Sequence, residues 1–366
     1  MHVSILGAGG FLGRKLARRL ARDGRLGERR VESLTLFDLT PPPTGVPFGP
    51  GVGFPVRACG GDVAELPPEA VPEGTSVVFH LAAVVSAAAE ADYELGRRVN
   101  LRGTDAVVDA CRRLAAPPRL VFTGSVASFG GGQGAVLGDD ARQMPSNSYG
   151  AQKAAAELVL ADASRRGFLD AVLIRLPTVT VRPGRPNKAA SSFVSAILRE
   201  PLLGLPAELP VPDGFAVWVC SPCRAVEWLL HAAGMDTSAM GLDRAVNPPG
   251  LRATVGEMLA ALERVRPGAS ALVRRVEDSA IAEIVGGWPA AFAPERARRL
   301  GFAPQEPLDE VVRAFVEDDL EETRRERGPG DGPAGGAMRG PAGGPGGDRA
   351  SHPRDGDSGG DGSIQG

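Results

Sequence analysis

The chain has 366 residues, 43% hydrophobic and 23% charged, with a formal net charge of −3. That length and balance suit one large α/β domain with a smaller lobe, and the small net charge leaves no electrostatic footprint for nucleic acid. No apolar run reaches the ~18–20 residues that span a bilayer, and four cysteines in a chain this long do not make a disulfide scaffold.

The opening Met1-His2-Val3-Ser4-Ile5-Leu6-Gly7 lacks a basic n-region and a long apolar core. It is therefore expected to be a first core strand of a cytoplasmic protein rather than a secretory leader. Short apolar runs over 3–6, 34–38, 54–58 (the weakest), 77–80, 120–123 and 172–175 predict strands. Helical spacing over 11–22, 100–114 and 149–165 separates them. This alternation predicts a Rossmann doubly wound parallel sheet. Residues 41–55, rich in Pro and Gly, read as a surface loop. Beyond Arg175, prolines punctuate shorter segments: 191–199 looks helical, 217–233 a strand-helix unit, and 254–264 and 308–320 helices. The expected organisation is a first domain over 1–178, to which 211–240 returns, and a smaller lobe from 179–210 and 241–326. A tail of Gly, Pro, Asp and Arg over 327–366 has too few bulky apolar residues to order. No repeat of fixed period is visible.

Gly7-Ala8-Gly9-Gly10-Phe11-Leu12-Gly13 lies between the first strand and the first helix. Gly7 allows the sharp turn, Gly10 lets backbone approach a pyrophosphate, and Gly13 lets helix pack closely on strand. Asp38 closes the second strand, placed to accept hydrogen bonds from the adenosine ribose and to repel a 2′-phosphate. The predicted cofactor is NAD, not NADP. Asp62 and Val63 follow a glycine pair, with Asp62 a candidate for the adenine amino group. Leu81, Ala82 and Ala83 follow His80, where backbone can lie against the cofactor.

Tyr149-Gly150-Ala151-Gln152-Lys153 puts a phenol and an ammonium on one helix face. A phenol near pKa ~10 is a poor base at neutral pH, and a neighbouring cation favours its ionised form. Thr123-Gly124-Ser125 precedes that helix, so Ser125 is the expected hydroxyl on the same substrate oxygen, with hydrogen passing directly between substrate and the cofactor ring.

The set Gly7–Gly13, Asp38, Ser125, Tyr149 and Lys153 resembles the extended short-chain dehydrogenase/reductase superfamily. Arg175-Leu176-Pro177 resembles its strand-end segment, which implies that Pro177 contacts the nicotinamide. Asn100 in Val99-Asn100 resembles its helix-opening pair and is expected at the cofactor. Two positions depart from the pattern: Gly124, where a second serine is common, and Phe129, where many relatives carry Tyr. His80-Leu81-Ala82-Ala83-Val84-Val85-Ser86, Asp92-Tyr93-Glu94-Leu95-Gly96 and 182–191 resemble the D-erythronate dehydrogenase family. That resemblance implies NAD-dependent oxidation of a four-carbon sugar acid at C2. It also covers a substrate-binding lobe, and superfamily analogy adds homodimers through a helix pair.

A small anion needs fixed donors, and Arg182, Arg185, Asn187 and Lys188 crowd one loop, with Ser86 a further hydroxyl near the cofactor. Cys220 and Cys223 have the spacing of a metal or redox pair but lack further ligands. His231 and Trp218, Trp228 and Trp288 read as packing residues, Trp218 with some scope for closing the pocket. Two other readings compete: a nucleotide-sugar epimerase or dehydratase using the same tyrosine, and a non-catalytic NAD-sensing scaffold. The complete Ser-Tyr-Lys set argues against the scaffold, which needs only the glycine turn.

Overall fold

The computed structural model describes residues 1–45, 52–130, 132–185 and 191–328. β1 (His2–Leu6) leads into α1 (Phe11–Asp23), then a ribbon of β2 (Arg25–Leu26) and β3 (Arg29–Arg30), β4 (Ser33–Asp38), β5 (Val56–Gly60) and β6 (Thr75–His80). Next come α2 (Ser86–Ala91), α3 (Tyr93–Arg97), a π turn over Arg98–Arg102, α4 (Gly103–Arg112), β7 (Arg119–Ser125), α5 (Ser148–Arg165) and β8 (Asp170–Leu176). The second half carries β9 (Thr178–Val179), α6 (Ser192–Leu202), β10 (Ala207–Leu209), β11 (Ala216–Cys220), α7 (Pro222–Gly234), β12 (Ala245–Val246) and β13 (Leu251–Thr254). It ends with α8 (Val255–Val265), β14 (Val273–Arg275), α9 (Ser279–Gly286), α10 (Glu295–Arg299), α11 (Leu308–Asp318) and α12 (Leu320–Arg327).

Seven strands form one parallel sheet in the order β12-β8-β7-β6-β1-β4-β5. Its central strands are runs such as Val77-Val78-Phe79, buried on both faces, because helices cover both sides. On one face, α1 and α7 bring Leu16, Leu20, Trp228 and Leu229 against Ile5, Val77 and Val121. On the other, α4 and α5 bring Val107 and Leu160 against Leu6, Val78 and Phe122. The strand order reverses at β1, where Leu6 pairs with Phe37 of β4 on one side and His80 of β6 on the other. Such a reversal opens a crevice beyond the strand C-termini, where ligands of doubly wound sheets bind.

A separate apolar cluster gathers Phe193, Ile197, Val219, Met258, Leu262 and Phe315. It lies against a three-stranded sheet of β13, β11 and β9. The predicted return over 211–240 is shifted in the structure. β11 stays with the small sheet, whereas α7 packs on the large sheet and β12 forms its edge strand. Alternating Val217 and Val219 announce a strand without saying which sheet receives it, and both point into the smaller cluster. The tail boundary also moves, because Arg327 belongs to α12. Residues 329–366 lie outside the described residues, as do 46–51 of the predicted loop. Among the described residues, no helix is long and apolar enough to cross a membrane.

Candidate active site

Gly7 leaves β1 at φ +92°, and a Cβ there would stand 2.5 Å from the Ala82 amide nitrogen. Only glycine fits a left-handed turn so close to a neighbouring strand end. A Cβ on Gly13 would overlap the Gly7 carbonyl, so α1 starts flush against the turn. Its N-cap, Gly10, brings no side chain to the free N–H groups of the first turn, and that turn holds no acid. An anion is what such an end lacks. Asp38 ends β4 beside it, its carboxylate accepting from Gly9 N and Leu39 N, each at 2.8 Å.

Two cavities meet over this turn, sharing Gly7, Gly10, Leu81 and Ala83 in their walls. The first, 570 Å³, runs along Asp38, Asp62, Val63 and Ala82. The second, 310 Å³, holds Phe11, Leu12, Gly13, Ser86, Ser125, Tyr149, Lys153, Pro177 and Arg182. A dinucleotide suits this shape: an acid at one end, an unfilled helix N-terminus in the middle, and a chamber of polar side chains at the other.

The chamber is built by a close approach. Asn147 caps α5 by accepting from Gly150 N at 2.8 Å, and a Cβ on Gly150 would overlap Ala127 O of the turn after Ser125. The start of α5 thus presses onto the end of β7, and Tyr149 and Ser125 line the same chamber. Lys153 Nζ lies 5.8 Å from the Tyr149 ring centre and 4.4 Å from that of Phe122.

Burial pushes the Tyr149 phenol above its ordinary value, opposed by the Ser125 hydroxyl and the Arg182 guanidinium. Burial also lowers the Lys153 ammonium to about 7, opposed by the Glu157 carboxylate one turn along. The sequence named Lys153 as the cation favouring the phenolate. In the structure the Arg182 guanidinium is a further cation that favours the ionised Tyr149, while burial disfavours the charge of Lys153.

Glu157 accepts from Arg175 Nε at 2.9 Å and from Gln143 Nε2 at 2.8 Å. Any Cβ at Gly124 would stand 2.5 Å from Glu157 Oε1, which explains the glycine where a second serine is common. Phe129 packs edge-on to Phe292 under the Arg175 guanidinium, an apolar role that needs no hydroxyl.

Arg182 donates through Nε to Val179 O at 3.0 Å and through Nη2 to Ser191 Oγ at 3.2 Å. Two of its five N–H groups are thereby tied to the protein, and its charge is held at the wall of the same chamber. Burial lowers its pKa, against the pull of Tyr149.

A model of the NAD dependent epimerase/dehydratase family matches residues 3–217. A D-erythronate dehydrogenase of Cupriavidus necator is 45% identical over 325 residues, covering 87% of this chain and 98% of that protein. A D-erythronate dehydrogenase of Haemophilus influenzae is 36% identical, over 87% of this chain and 100% of its own length. The chain belongs to the D-erythronate dehydrogenase family, within the NAD-dependent epimerase/dehydratase family. A crystal structure described as a nucleoside-diphosphate-sugar epimerase from Agrobacterium tumefaciens matches with a TM-score of 0.81 at 44% identity. It covers 88% of this chain and 95% of that one.

This member of the family is an NAD-dependent oxidoreductase of the short-chain dehydrogenase/reductase type. Of the residues expected at its site, Asn100 lines neither cavity. Its Oδ1 accepts from Val84 N at 2.9 Å, and its Nδ2 donates to Val84 O at 3.0 Å and Gln152 Oε1 at 2.7 Å. It clamps the loop after β6. Asp62 borders the larger cavity, but its carboxylate caps Ala64 N at 2.8 Å and pairs with Arg98 at 2.6 Å. Asn187 and Lys188 lie outside the described residues. The chamber wall also includes residues not among the expected ones, Ser191 and Trp288 among them. Ser191 sat inside the resembling segment, but nothing in the local pattern marked Trp288, which reaches the site from beyond α9. Trp218 packs on Phe292 instead, and His231 bonds Leu300 O at 2.8 Å.

Proposed function

We propose that this protein oxidises D-erythronate at C2 to the 2-oxo acid, as a cytoplasmic enzyme of carbohydrate metabolism with its substrate chamber roofed by the smaller lobe. The observation that carries the reading is a single 310 Å³ chamber holding Ser125, Tyr149, Lys153 and the guanidinium of Arg182. Arg182 receives the substrate carboxylate, and a planar fork suits that group. With the acid anchored, the C2 hydroxyl rests between Ser125, which holds its oxygen, and Tyr149, which as phenolate removes its proton. Lys153 supports the ionised phenol and holds the nicotinamide ribose. NAD, when bound, supplies the acceptor for the two electrons and the hydrogen that leave C2. The same chamber must admit the nicotinamide end of the cofactor, so the space left suits a four-carbon acid and is small for a nucleotide sugar.

Purified protein should form NADH from NAD and D-erythronate, with little activity on NADP because the Asp38 carboxylate would repel a 2′-phosphate. Tyr149→Phe should abolish turnover while NAD binding by calorimetry stays within about twofold. Silence towards four- and five-carbon sugar acids would remove the substrate assignment. Conversion of a nucleotide sugar without net NADH would favour epimerisation, the activity in the description of the Agrobacterium structure. NAD binding with no turnover of either class would leave the scaffold reading.

A further inference from the structure

The segment that carries Arg182 has no regular secondary structure of its own, yet its backbone is held from both ends. Arg182 N donates to Ser195 Oγ at 3.1 Å, and Arg182 O accepts from Arg199 Nη1 at 2.9 Å, so α6 fixes both peptide groups. Pro183 follows and restricts the backbone of Arg182. Gly184, at φ +80°, donates its N–H to Thr323 Oγ1 at 3.2 Å, and its carbonyl accepts from Arg327 Nη2 at 3.1 Å. Both of those partners lie on α12.

The two anchors are one network. Glu200 of α6 accepts from Arg199 Nε at 2.9 Å and from Arg327 Nη1 and Nη2 at 2.5 and 2.8 Å. Arg199, Glu200 and Thr323 are buried, so these charges and donors are desolvated and their geometry is stiff. At its other side α12 is pinned to α1, the helix that starts at the glycine turn. Arg18 forks onto Glu322 at 2.6 and 2.7 Å, and Lys15 pairs with Asp319, which opens the helix, at 2.9 Å.

We infer that Thr323 and Arg327 are positioning residues for the Arg182 anion contact, which makes α12 a working part of the substrate site. The inference rests on the proposed carboxylate contact of Arg182. The bonds of Thr323 and Arg327 run to the Gly184 backbone and to Glu200, so the effect of these two residues is expected on substrate affinity. The dinucleotide site and the proton-transfer groups stand on other elements.

The test uses the full chain carrying Arg327→Met, Thr323→Val, Arg182→Gln, and Arg327→Met combined with Arg182→Gln. Arg327→Met is expected to raise KM for D-erythronate on the order of tenfold, with KM for NAD, and kcat read on the high-pH plateau where Tyr149 is ionised, within about twofold. On the Arg182→Gln background the same change should add nothing further, because the anchored group is gone. Thr323→Val is milder and should speed amide exchange at Gly184 and raise KM a few-fold, which keeps the test alive if Arg327→Met folds poorly. A lowered Tm with KM unchanged in both single variants would overturn the inference, leaving α12 a structural strap. If Arg182→Gln itself leaves KM for the acid unchanged, the carboxylate contact fails, and that outcome is separate from a failure confined to α12.

Discussion

Lys153 is nearly fully buried between Phe122 and Tyr149, and its ammonium falls from an ordinary 10.5 to about 7. A lysine whose folded pKa is depressed destabilises the fold most where both states are protonated. The penalty therefore stands in full below pH 7 and fades as pH rises to 10.5, so stability climbs with pH across that window. At about 1.36 kcal/mol per pH unit, the ceiling is about 5 kcal/mol at pH 6 and about 2 kcal/mol at pH 9. Lys153→Met keeps the length and the apolar stem while removing the charge. The variant should lose turnover yet resist urea better than the parent at pH 6, by about 2–5 kcal/mol, and the advantage should shrink by about 3 kcal/mol on moving to pH 9. Glu157 loses a cationic neighbour in this variant but keeps Arg175 at 2.9 Å, which limits the offset. Urea midpoints and slopes of both proteins at the two pH values measure the effect. A Met variant that is less stable at pH 6, or an advantage that does not change with pH, would refute the claim that burial sets the charge state of Lys153.

Other consequences follow from the same geometry. Gly13→Ala places a methyl group into Gly7 O and 2.7 Å from Ala8 Cα, and NAD affinity should fall about 10–100-fold by calorimetry; unchanged affinity would show the turn to be softer than drawn. Because burial raises Tyr149 and Arg182 lowers it, kcat/KM for oxidation should rise with pH above neutrality, and Arg182→Gln should move that rise to higher pH. A profile unmoved by the substitution would separate the two groups. Trp288 walls the chamber with an indole N–H that has no partner among the described residues. Trp288→Ala should raise the ratio of kcat/KM for five-carbon over four-carbon acids by about tenfold, whereas Trp288→Phe should leave the ratio near that of the parent. Equal ratios in all three proteins would exclude Trp288 from setting substrate length.

Much of the large sheet was legible because its signals are local. Apolar runs buried on both faces read as parallel strands, and the six predicted ones coincide with β1, β4, β5, β6, β7 and β8. The glycine turn, Asp38 and the Tyr149–Lys153 pair were equally readable, since each is a short spacing whose chemistry depends on one strand end or one helix turn. The partners of Asn100 were not legible, because a buried amide can serve a ligand or a loop equally well and only the fold brings it to Val84 and Gln152.

From sequence alone came the class of chemistry: a place for NAD, a phenol one helical turn from an ammonium, and a basic loop for a small anion. Tertiary structure alone decided which charges meet. Arg182 joins Lys153 in the chamber of the phenol, Trp288 arrives from beyond α9, and Arg327 reaches back from the last helix to hold the loop. Electrostatic effects fall with distance in space and grow with desolvation, and neither quantity is encoded in the spacing of residues along the chain.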